Sequence, residues 1–214
     1  MDRGAILDRL KRERVIAVIR LGSSEDLPAL AEALAAGGVR GIEVTLSTPN
    51  AIEGIRDLAK RYGDELFLGV GSVLDGDTAR AAAAAGARYV VSPIFDPAIV
   101  EAAHASGAAA MPGCFTPTEI HRAMQVGADV AKVFPADSLG IPFFKAVLAP
   151  MPHLRLMPTG GVTLDNAGDW IKAGAVAVGA GGALCPKDKL EARDWAAITA
   201  NAARIRASAD SASS

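Results

Sequence analysis

Gly37-Gly38-Val39-Arg40-Gly41-Ile42-Glu43-Val44-Thr45-Leu46-Ser47-Thr48-Pro49 holds one full period of the pattern that decides the fold. Two glycines close an Ala-rich helix, because glycine adopts the left-handed C-terminal conformation without steric cost. The β-branched run over 39–45 then reads as a buried strand. Thr48-Pro49 supplies a cap residue followed by proline at the first position of the next helix. The same order of glycine, strand and cap returns along the chain. Strands are expected near 15–20, 39–45, 66–69, 89–92, 108–111, 130–134, 154–158 and 175–179. Helices are expected near 24–36, 49–62, 76–85, 96–105, 117–126, 140–149, 164–173 and 188–206. Eight strand–helix units call for a parallel sheet covered by helices, and eight is the number that closes a TIM barrel. An open doubly wound sheet is the competitor. No GxGxxG follows the first strand, and no point of reversal in strand order stands out.

The bulk properties agree. The chain has 214 residues, half of them hydrophobic and 21% charged, and α/β barrels of about 200–250 residues form single domains. A short amphipathic helix (Leu7, Leu10, Lys11, Arg12) leads into one domain spanning 1–206, and the small polar stretch 207–214 reads as a disordered tail. A net charge of −2 gives no footprint for nucleic acid or an anionic membrane. Neither a signal-peptide core nor an apolar run long enough to span a bilayer is present, so a soluble cytoplasmic protein is expected. Cys114 and Cys185 form no CxxC pair and fit a reducing compartment.

In a barrel, chemistry sits at the C-terminal ends of the strands. Those positions are Arg20, Glu43 with Thr45, Gly71-Ser72, Ser92-Pro93, Pro112-Gly113-Cys114, Lys132, Thr159-Gly160-Gly161 and Gly181-Gly182. Two ionisable groups stand within apolar strands, Glu43 and Lys132. A buried lysine is costly unless it is paired or neutral, and a neutral amine attacks carbonyl carbon. Two plainer readings compete: a lysine snorkelling into solvent, and a structural ion pair with Glu43. The glycines after strands seven and eight either permit tight turns or let backbone N–H groups approach a phosphate. His104, His121 and His153 are isolated and lie away from the strand ends. No metal site or Ser-His-Asp triad is therefore expected, and Cys114 reads as a packed thiol.

Seven segments in order resemble the bacterial 2-keto-3-deoxy-6-phosphogluconate aldolase family, which includes 2-keto-4-hydroxyglutarate and 2-keto-3-deoxy-6-phosphogalactonate aldolases. They are Ile16-Ala17-Val18-Ile19-Arg20, Ile42-Glu43-Val44-Thr45-Leu46, Gly69-Val70-Gly71-Ser72-Val73-Leu74, Val91-Ser92-Pro93, Met111-Pro112-Gly113-Cys114, Lys132-Val133-Phe134-Pro135-Ala136 and Pro158-Thr159-Gly160-Gly161-Val162. The resemblance implies a class I aldolase on a TIM barrel, a homotrimer, with no metal or other cofactor. It implies that Lys132 forms the Schiff base and that Glu43 is the general acid/base. Arg20 and Ser72 would hold the carboxylate of an α-keto acid, with Pro93 and Thr159 lining the pocket. Gly160, Gly161, Gly181 and Gly182 would frame a phosphate.

The chain departs from the family pattern at four places. Ser47 stands where some members carry a carboxylate-binding arginine, which shifts that task to Arg20. Ser72 replaces threonine and keeps the hydroxyl. Gly182 lacks the phosphate-contacting serine of many members, and Ile94 replaces a glycine. Two other classes compete: a non-aldol phosphate-sugar barrel such as an epimerase or synthase, and a silent barrel that binds a sugar acid or a protein. Glu43 and Lys132 together, without metal ligands, favour the aldolase.

Overall fold

In the computed structural model, which describes residues 2–213, nine short strands fill eight barrel positions because the fifth is broken at Pro112. The strands are β1 (Val15–Ile19), β2 (Gly41–Thr45), β3 (Phe67–Gly71), β4 (Tyr89–Val91), β5 (Ala109–Met111), β6 (Gly113–Cys114), β7 (Ala131–Val133), β8 (Leu156–Pro158) and β9 (Val178–Ala180). One parallel sheet runs β5-β4-β3-β2-β1-β9 and a second runs β6-β7-β8. Proline has no N–H to give to a ladder. The Pro112 carbonyl accepts from the Lys132 N–H at 2.9 Å, so the strand leaves β4 and continues as β6 beside β7. Bridges between Leu156 and Ala175 and between Thr159 and Gly179 join β8 to β9. The result is the expected (β/α)8 TIM barrel.

The helices are α1 (Arg3–Glu13), α2 (Leu27–Ala36), α3 (Ala51–Tyr62), α4 (Gly76–Ala84), α5 (Pro97–Ala105), α6 (Pro117–Gln125), α7 (Gly140–Leu148), α8 (Ala167–Lys172), α9 (Lys187–Glu191) and α10 (Trp195–Asp210). Strand side chains alternate between faces. Ile42 and Val44 of β2, and Ala131 and Val133 of β7, therefore join the core under the helices, which turns Glu43 and Lys132 inward. The barrel interior is filled by Ile16, Phe67, Tyr89, Val91, Met111 and Met157, and α1 closes its lower end with Ile6 and Leu10.

Three expectations are corrected. Thr48-Pro49 does not cap α3, which starts at Ala51 behind Asn50 at φ +54°. Thr48 is buried, and its hydroxyl accepts from the Leu21 N–H at 3.0 Å, so it ties two strand-end loops together. The helix expected over 188–206 is two helices, divided near Arg193 at φ +51°. The tail expected to be disordered is helical to Asp210, with a 3-10 turn at Ser211–Ser213; Ser214 lies outside the described residues, as does Met1. Its small residues let it pack closely. Ala209 is fully buried, its carbonyl accepts from Arg14 at 3.0 Å, and Ser208 donates to the Asp165 carbonyl at 2.7 Å.

Gly69 has a defined steric reason. A Cβ there would overlap the ring of Tyr89, which fills the interior against Phe67 at a centroid separation of 4.7 Å. Overpacking a filled core costs about 1–3 kcal/mol. Thermal unfolding should therefore show Gly69→Ala losing about 2–4 °C for each kcal/mol in a chain of this size. An unchanged Tm would mean that the Tyr89 ring has room to move.

Candidate active site

Lys132 projects from the middle of β7 into the barrel and is 5% exposed. Its ammonium nitrogen lies 4.9 Å from the centroid of the Phe134 ring, which supplies a π face two residues along. Glu43, from the middle of β2, is 1% exposed. Its Oε1 lies against Gly71, where a Cβ would collide with it, and its Oε2 has no hydrogen-bond partner. Burial raises the Glu43 pKa above the ordinary carboxylate value, opposed by the charges of Lys132 and Arg20. Lys132 is too buried to be snorkelling, and no ion pair joins it to Glu43 among the described residues. Both plainer readings of the pair therefore fail. What the barrel holds is an amine and an under-satisfied carboxylate close enough to feel each other's field.

Arg20 follows β1 and is held by a chain of hydroxyls. Its Nε donates to Ser47 Oγ at 2.9 Å. Thr45 Oγ1 donates to the Ile19 carbonyl at 2.8 Å and stands 2.8 Å from Ser47 Oγ. Because Thr45 spends its proton on Ile19 and Ser47 accepts from Arg20, the remaining hydrogen runs from Ser47 to Thr45. Both hydroxyl protons are thereby assigned, and the guanidinium is aimed by residues at the end of β2. Ser47 thereby forms the socket for Arg20.

The other expected residues sit on the same rim. Ser72 follows β3 at φ +63°, an uncommon conformation for a residue with a side chain. Pro93 follows β4, and its carbonyl leaves no room for a Cβ at Gly113. Thr159 follows β8, nearly buried, with its hydroxyl unpartnered. Gly160 (φ +100°) and Gly161 (φ +71°) turn over Asp137 in conformations that favour glycine. Gly181 passes close to the Val18 carbonyl at 3.6 Å from where its Cβ would be, whereas Gly182 faces open space.

Two cavities open at this rim. One of about 320 Å³ is lined by Val18, Arg20, Gly181, Gly182, Cys185, Lys187 and Leu190. A larger groove of about 870 Å³ shares Arg20, Lys187 and Leu190 and adds Ser47, Asp26, Glu191 and Arg193. Glu43 and Lys132 line neither, and lie deeper. Sequence reading did not single out Phe134 as the partner of Lys132. Nor did it note that Lys187, shortly after the last glycine cluster, lines both cavities.

Among the described residues, no group of three or more His, Cys, Asp or Glu could hold a metal. His104 pairs with Asp129 at 2.9 Å, beside Arg3 of α1. The Cys114 and Cys185 thiols are pushed up to about 12 by burial, which makes them poor nucleophiles.

A barrel with an interior amine, a buried carboxylate and, among the described residues, no metal-holding cluster has the equipment of a Schiff-base enzyme. The sequence profile of the KDPG and KHG aldolases matches residues 6–201. The chain is 39% identical over 196 residues to a 2-dehydro-3-deoxy-phosphogluconate aldolase of Treponema pallidum, covering 91% of this chain and 93% of that one. It is 37% identical to a Pseudomonas aeruginosa enzyme of the same description, covering 91% and 89%. A crystal structure of KDPG aldolase from Legionella pneumophila, with pyruvate captured as a covalent carbinolamine intermediate, superposes with a TM-score of 0.86 at 31% identity, covering 96% and 98%. The chain is an aldolase, a carbon–carbon lyase. It belongs to the KDPG and KHG aldolase family.

The Glu43 environment has a consequence for stability. A carboxylate whose folded pKa is raised binds protons more readily in the native state, so stability falls as pH rises from the unfolded pKa through the folded one. Burying this carboxyl therefore costs stability above the ordinary carboxylate range. Glu43→Gln should raise Tm at pH 7, and the gain should vanish below about pH 4, in the ordinary carboxylate range. A lower Tm at pH 7 would mean that the carboxylate is stabilised by a partner.

Proposed function

We propose that this chain cleaves 2-keto-3-deoxy-6-phosphogluconate to pyruvate and glyceraldehyde 3-phosphate through a Schiff base on Lys132. The observation that carries the reading is the interior placement of Lys132 beside an unpaired Glu43. The Lys132 amine attacks the C2 carbonyl and gives a carbinolamine, which loses water to form a protonated imine. That imine is the electron sink for the C3–C4 bond. As the bond breaks, the C4 hydroxyl gives its proton through a water to Glu43 and leaves as the aldehyde. The enamine on Lys132 takes a proton at C3, and water hydrolyses the resulting imine to pyruvate and free amine. Each half-cycle needs a group that both accepts and donates a proton near neutral pH, and a raised carboxylate pKa suits that task.

Arg20 and Ser72 hold the substrate carboxylate, with Pro93 and Thr159 against the pyruvoyl end. The socket for Arg20 and the unpartnered Thr159 hydroxyl support these roles. Backbone N–H groups of Gly160, Gly161, Gly181 and Gly182 meet the phosphate. The chain works as a homotrimer. Exposed Leu74, Ile94 and Phe115, which follow β3, β4 and β6, supply an apolar arc suited to a subunit contact. A phosphorylated sugar-acid substrate and two free thiols fit the cytoplasm.

Purified protein should release pyruvate from the phosphorylated substrate, and the rate should survive dialysis against EDTA. One charge-assisted hydrogen bond contributes about 1.5–3 kcal/mol. Two give the phosphorylated compound a kcat/KM advantage of about 10²-fold or more over its unphosphorylated analogue. Equal kcat/KM would reassign the enzyme to the short 4-hydroxy-2-oxoglutarate. Loss of turnover in EDTA with recovery on adding divalent metal would reject the Schiff-base route.

A further inference from the structure

The reaction scheme gives Lys187, a cation at the rim, no role. Lys187 opens α9, and its side chain lines both the cavity at Gly181-Gly182 and the larger groove. The inner cavity contains two cations, Arg20 and Lys187, and no carboxylate. Its remaining walls are glycine backbone, apolar side chains and the neutral Cys185 thiol. Both acids of the outer groove already have partners: Asp26 pairs with Arg193 at 3.0 Å and Glu191 with Lys187 at 3.6 Å. The Lys187–Glu191 pair is highly exposed, at 89% and 68% of the two side chains, and such a pair holds its members weakly. Arg20, by contrast, donates its Nε to Ser47. Gly182 adds room, since nothing lies within 4 Å of where its Cβ would be.

We propose that Lys187 is a specificity-determining residue that leaves Glu191 to bind the phosphate at the far end of the substrate, in the cavity beside Gly181 and Gly182. This rests on the aldolase reading for the orientation of the substrate, whose ketone end reaches inward to Lys132 and whose other end emerges at the rim. An ammonium suits the task because it is a compact charge with freely rotating donors and needs no fixed bidentate geometry. It supplies by charge what a side-chain hydroxyl at position 182 would supply by hydrogen bonding.

The test compares wild type, Lys187→Ala and Lys187→Arg. Lys187→Ala should raise KM for the phosphorylated substrate about 10-fold, the loss of one charged contact, while KM for the unphosphorylated analogue stays within about 2-fold. Lys187→Arg should recover most of the difference. In wild type, KM for the phosphorylated substrate should climb with ionic strength more steeply than in Lys187→Ala, because salt screens the contact. Equal changes for the two substrates, or none, would overturn the assignment. Titration with glycerol 3-phosphate, which carries the phosphate but has no ketone, separates this proposal from the aldolase reading. Weaker binding by Lys187→Ala than by wild type supports the site even if no substrate is cleaved, and equal binding rejects it even if cleavage is normal.

Discussion

Everything at this site depends on holding an amine and a carboxylate inside a barrel without letting them neutralise each other in a direct pair. A buried ion pair in contact would be structurally useful and chemically idle, with its amine protonated and occupied. The barrel avoids this through strand geometry. Glu43 and Lys132 stand at the middle of β2 and β7, which are separated around the barrel by other strands in both directions. Their flanking residues are fixed in the helix-facing core, so neither strand can slip by one residue without turning that core into the interior. Gly71 gives the carboxylate somewhere to lie, and Phe134 gives the amine an apolar face.

Around that pair the rim grades from rigid to adaptable. Arg20 donates to Ser47, which Thr45 and the Ile19 carbonyl hold in turn. Thr48 ties the same loops together through the Leu21 N–H. Farther out, the walls are glycine backbone, a long exposed lysine and a groove of about 870 Å³.

The eight-unit architecture was legible because the glycine stops, β-branched runs and inward alternation are local signals. Glu43 and Lys132 were legible for the same reason: each is an ionisable residue in an otherwise apolar strand. What escaped the sequence depends on contacts between distant segments. The break at Pro112 matters only because Lys132 stands opposite it. Thr48 looks like a cap and is instead committed to Leu21, and the Ala-Ser tail orders because α8 offers a surface close enough for small side chains. Ser47 read as the absence of an arginine; only the structure makes it a ligand for another one. Lys187 carries no signal of its own, since a lone lysine at a helix start is ordinary until the cavity beside it is known.

The central claim is that Lys132 is the nucleophile. Pyruvate with borohydride, followed by intact mass and peptide mapping, tests it most directly, because reduction makes the imine permanent at the nitrogen that formed it. One reduced pyruvate per chain, located on Lys132, is the predicted result. An adduct spread over exposed lysines such as Lys145 and Lys172, or no adduct at all, would contradict it.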